Sequence, residues 1–110
     1  MTNIISDKDF TAFSEEELIK LADLIENKDK NSIFDVEYAD GILNIIFFEN
    51  DQTYVINKHS ASKKIWFSSP ISGANYFSYN FENKKWLDDK GKELTELLLL
   101  ELTTNFNFKL

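Results

Sequence analysis

The chain has 110 residues, 43% hydrophobic and 15% aromatic, which is enough apolar surface for one core and too little length for two domains. Its formal charge is −7 and it has no cysteine, so disulfides, thiolate metal sites and cysteine nucleophiles are excluded. An acidic surface also disfavours nucleic acid phosphates and anionic lipid while concentrating cations and basic partners.

The charge is unevenly placed. Residues 1–40 carry eleven acids against four lysines, so residues 41–110 sum to zero. Between Thr53 and Asn80 there is no acid, while Lys58, Lys63 and Lys64 are present. No window approaches the roughly 18 uninterrupted apolar residues of a membrane span. Residues 1–10 lack the basic start and apolar run of a secretory signal and the arginines of a transit peptide, and a cytoplasmic protein is expected.

Phe10, Phe13, Leu18, Leu21, Leu24 and Ile25 fall on one arc at about 100° per residue, which predicts an amphipathic helix over 8–27. Ser6 with Asp9 offers one capping box and Ser14 with Glu17 another. Glu17 lies on the apolar arc without an evident reason. Residues 27–32 read as a loop. From Ile33 the period becomes two, with Phe34, Val36 and Tyr38 alternating with Asp35, Glu37 and Ala39, and Asp40-Gly41 makes a hairpin turn. Further strands are expected over 42–48, 53–59, 63–68, 75–80 and 85–88. Leu94, Leu97, Leu98 and Leu102 then give a second helix over about 92–105. An α+β fold follows, an antiparallel meander with terminal helices covering one face and the other left to solvent or a partner.

Glu15, Glu16, Asp23 and Glu26 lie opposite the apolar arc of the first helix, and Asp35 and Glu37 project together from the next strand. Such a ridge suits hard or borderline cations, held weakly and with waters retained. The charge pattern alone fits an ordinary solvated face at least as well. His59 is a lone imidazole and reads as a surface residue, and no serine triad sequence or phosphate loop is present, so an enzyme is not expected. Alternation turns Lys64, Trp66 and Ser68 outward beside Asn57 and His59. Trp66 is then either an interface anchor or a tryptophan packed on its own sheet. Trp86, beside Leu87, reads as core filling.

The runs Thr53-Tyr54-Val55-Ile56-Asn57-Lys58 and Lys64-Ile65-Trp66-Phe67-Ser68-Ser69-Pro70-Ile71-Ser72-Gly73 resemble the signature of frataxins. Gly41-Ile42-Leu43, Glu96-Leu97-Leu98 and Glu101-Leu102-Thr103 match the same family in the same order, and the resemblance covers about residues 6–105. It implies a two-layer sandwich, an antiparallel sheet of six or seven strands against two helices. It also implies an iron-binding protein of iron–sulfur cluster assembly that docks on the cysteine desulfurase and its scaffold protein, where it modulates sulfur transfer or supplies iron. Ferrous (Fe2+) and ferric (Fe3+) iron would bind weakly on the acidic ridge, where Asp23, Glu26, Asp35 and Glu37 match the family's ridge acids and the helical wheel adds Glu15 and Glu16, with no organic cofactor. Asn57 and Trp66 match the exposed sheet residues that contact partners, and the neighbouring Lys58 and Lys64 are taken as further partner-binding candidates. The chain would be a monomer, oligomerising under iron load, and the alternative reading is a ferroxidase that oxidises and stores iron on the ridge. The sequence departs from the family's pattern at Lys64, where glutamine is usual. It departs again at Asn75-Tyr76, where mitochondrial members carry a basic residue.

Overall fold

The computed structural model describes residues 4–110. Helix α1 spans Asp7–Lys28, and Ser6 caps it by accepting from the Asp9 amide, so the earlier of the two capping sites starts the helix. Ser14 is instead buried mid-helix, its hydroxyl donating to the Thr11 carbonyl. Asp29 ends the helix and turns the chain. Its two carboxylate oxygens accept from the amides of Ile33 and Phe34, which fixes the entry into the first strand.

Six strands follow, β1 (Phe34–Ala39), β2 (Ile42–Phe47), β3 (Thr53–His59), β4 (Lys64–Ser69), β5 (Gly73–Asn80) and β6 (Lys85–Leu87). They pair in sequence order, every neighbour antiparallel, with β1 and β6 as the edges. At the first turn Asp40 and Gly41 both have positive φ, 54° and 76°, as the tight hairpin expected there requires. Helix α2 (Leu94–Asn105) closes the order, and the Glu93 side chain caps it by accepting from the Thr95 and Glu96 amides.

Both helices cover one face of the sheet. Leu43, Ile45, Tyr54, Ile56, Ile65, Phe67 and Phe77 point from successive strands into a core completed by Phe10, Leu18, Leu21 and Ile25 of α1 and Leu94, Leu98 and Leu102 of α2. Deleting one such side chain would cost about 2–5 kcal/mol. Beyond α2, Phe106 and Phe108 seal one end of the core against Phe34, and Phe106 also stacks on Phe47 and Tyr54. Trp86 is buried, as its pattern predicts, edge-on to Phe10.

Candidate functional site

The two-residue period of the strands decides which side chains reach the uncovered face. Asn57 stands directly opposite Trp66, and Trp66 directly opposite Tyr76, so one row crosses β3, β4 and β5. Ile42, register partner of Asn57, extends the row to β2 and is 43% exposed; Tyr76 is 44% exposed. Trp66 itself is half-buried among these neighbours, and among the described residues no helix or strand packs over it. His59 flanks the row, its ring 5.6 Å from that of Tyr76 and its Nδ1 bonded to the Ser62 hydroxyl. A flat, partly apolar row with one amide at its centre has the make-up of a protein-contact surface.

Lys64 joins this face opposite His59, but Lys58 does not. Lys58 follows Tyr54 and Ile56 toward the helices, and its ammonium lies 2.5 Å from Glu15 of α1. The same period that exposes Asn57 turns its neighbour away. The long stem of Lys58 passes over Gly41, where an added Cβ would fall 2.7 Å from the lysine Cε. Burial pushes the phenol of nearby Tyr38 above its ordinary range, and Glu15 adds to the shift.

The six acids expected to form one ridge fall on two surfaces. Glu15, Glu16, Asp23 and Glu26 lie along the outer side of α1, interrupted by Ile19, which is 46% exposed. From Glu15 to Glu26 the helix advances about 16 Å, too far for one ion. Asp35 and Glu37 lie on the open side of β1, opposite Ile46 and Asn44, whereas Phe34, Val36 and Tyr38 of the same strand pack on the core. The two sets share only the β1 edge, against which α1 packs most closely. Among the described residues no three His, Asp or Glu side chains converge as a ligand set. These carboxylates therefore fit a cation taken one or two oxygens at a time, with water completing its shell, and do not fit a cage.

Besides Asp29 and Glu93, three more acids outside the expected set have structural work. Glu101, buried on α2, accepts from the hydroxyls of Tyr54 (2.9 Å), Ser69 (2.5 Å) and Ser72 (2.6 Å). Ser69 in turn accepts from the amides of Ile71 and Ser72, so one carboxylate anchors the turn after β4. Burial and the bond to Glu101 push the Tyr54 phenol well above its ordinary range. Burial also acts to raise Asp88, but the amides of Lys92 and Lys90 and the side chain of Asn75 hold its carboxyl below the usual value. Glu17 is half-buried between the helices, where Thr95 donates to it at 3.3 Å. The sequence gives no hint of the Glu101 cluster, because its members lie 29 to 47 residues away.

Known proteins share this fold. A sequence model described as a frataxin-like domain matches residues 3–108. The mitochondrial frataxin of Dictyostelium discoideum is 46% identical over 72 residues, 64% of this chain and 37% of that protein. The mitochondrial frataxin homologue of Schizosaccharomyces pombe is 39% identical over 64 residues, 58% of this chain and 39% of that protein. The matched region thus spans about two fifths of the length of these curated relatives. A frataxin from Psychromonas ingrahamii superposes with a TM-score of 0.75 over 92% of both chains at 24% identity, a likeness of fold. A trimeric frataxin from Saccharomyces cerevisiae, solved in complex with ferrous iron, superposes with a TM-score of 0.72 at 28% identity, covering 94% of this chain and 88% of that one.

Proposed function

The chain belongs to the frataxin-like family, and from that premise we propose that it is a non-enzymatic, weakly iron-binding regulator of iron–sulfur cluster assembly, working in the cytoplasm. In this reading the open face of the sheet docks on a cysteine desulfurase and its scaffold protein. The acidic side of α1, with Asp35 and Glu37 at the neighbouring edge, collects ferrous or ferric iron and delivers it. The observation that carries the docking half is the row of Asn57, Trp66 and Tyr76, left uncovered on a sheet whose other face is fully packed.

Iron is cargo here and no resident cofactor is required. Glu16, Asp23 and Glu26 are exposed on a helix, so each offers one carboxylate to a hydrated ion and releases it readily. The yeast relative solved with ferrous iron is a trimer, and oligomerisation under iron load belongs to the same proposal.

The test is a titration of the purified protein into the desulfurase and scaffold of the same organism, reading complex formation and sulfide release from cysteine. Saturable binding with a change in sulfide release in either direction supports the reading. A chain that neither binds nor alters the rate, in the presence or absence of iron, would remove it.

A further inference from the structure

Between α1 and the β5–β6 hairpin lies a cavity of about 320 Å³, at the small-molecule end of the range for binding sites. Its wall is aromatic. Phe13 of α1 lies against Tyr79 of β5 with ring centroids 5.0 Å apart, and Tyr79 meets Trp86 of β6 at 5.3 Å. Its charges are mixed, with Glu16, Glu17 and Lys20 contributed by α1 and Lys84 by the turn between β5 and β6.

Glu17 is the member without an adequate partner. Among the described residues its one hydrogen bond is the long contact from Thr95, and no ammonium comes within ion-pair distance of it. Its side chain is half-buried at the rim of the cavity. A half-desolvated carboxylate beside aromatic faces favours an incoming cation. Two lysines on the same small cavity repel a polycation and are placed to receive a carboxylate.

We propose that this notch binds a free zwitterionic amino acid with an apolar side chain. Its ammonium meets Glu17, with Glu16 behind. Its carboxylate meets Lys84 and Lys20, and its side chain lies on Phe13 and Tyr79. The site shares only Glu16 with the iron-collecting side of α1, and its failure would leave that reading intact.

The experiment is a titration of isotope-labelled protein with L-leucine, followed through the Trp86 indole N–H and the amides of Phe13, Glu17 and Tyr79. N-acetyl-leucine, which lacks the ammonium, and leucinamide, which lacks the carboxylate, are run in parallel. Leucine should give saturable shifts confined to the notch at millimolar concentration. Each analogue should bind about tenfold more weakly, the loss of one charge-assisted contact. Glu17→Gln should erase the difference between leucine and N-acetyl-leucine, and Lys84→Gln the difference between leucine and leucinamide. Each variant is accepted only if its spectrum outside the notch matches the parent, with Tyr79→Leu as a further variant that removes the aromatic wall. Absence of saturable shifts with leucine, or equal affinity for leucine and both analogues, or shifts that survive both charge substitutions, would overturn the proposal.

Discussion

Lys58 of β3 and Glu15 of α1 form an ion pair 2.5 Å long on the helix side of the sheet. The pair joins one residue expected at the partner surface to one expected to hold iron, and it occupies both. Glu15 is thus the least available carboxylate of the α1 row. Replacing Lys58 with Met keeps the apolar stem and should lower stability by less than about 1 kcal/mol, because both ends are partly solvated. Freed of its ammonium, Glu15 should then enlarge the rise in melting temperature given by ferrous iron. A thermal melt with and without metal checks both parts.

Trp66→Ala should separate docking from folding. Trp66 lies on the uncovered face, half-buried only by its strand neighbours, so stability should fall modestly while desulfurase affinity drops by about 2 kcal/mol or more. Urea unfolding and a binding titration on the same preparation decide it. A stability loss of about 3 kcal/mol or more would mark Trp66 as part of the packing.

Glu17 gives a pH-dependent prediction. Its carboxyl is raised in the folded state, mainly by burial, so its contribution to stability is full below the unfolded value and is lost as pH rises through the folded one. At pH 7 the ionised group is a burden, and Glu17→Gln should raise the melting temperature. The gain should shrink as pH falls and vanish near the unfolded glutamate value of about 4.3. Melting curves across that range test the sign.

Glu101→Ala should be among the most damaging substitutions of a charged residue. It strands the hydroxyls of Tyr54, Ser69 and Ser72 and frees the turn after β4. A loss of about 3 kcal/mol or more is expected, and Glu101→Gln, which keeps an acceptor, should lose less. Denaturant unfolding of the two variants compares them.

Much of this fold is legible in the sequence because its elements are locally consistent. Alternation in Phe34-Asp35-Val36-Glu37-Tyr38 and the helical spacing of Leu94, Leu98 and Leu102 each reflect one buried face. Element ends differ from expectation by one or two residues, as at β4, which runs Lys64–Ser69 because Lys63 turns the chain at φ 54°. The pairings of Lys58 with Glu15 and of Glu17 with Thr95 are not legible, since each joins elements 43 or 78 residues apart. The division of the six acids between two surfaces is likewise a tertiary fact. Strand period sends Asp35 and Glu37 outward, but only the packing of α1 on the other side of β1 shows that they face away from it.

Iron collection by the acids of α1 and the β1 edge is the part of the proposed function most open to direct measurement. The direct measurement is an anaerobic ferrous titration followed through the amide signals, on the parent and on the variant carrying Asp23→Asn and Glu26→Gln. Relief of like-charge repulsion should make the variant slightly more stable without metal, and it should bind less. Selective broadening or shifts are expected at Glu16, Asp23, Glu26, Asp35 and Glu37 in the parent, weaker at Glu15 and sharply reduced in the variant. Unchanged signals along α1 and β1, or equal effects in parent and variant, would contradict it.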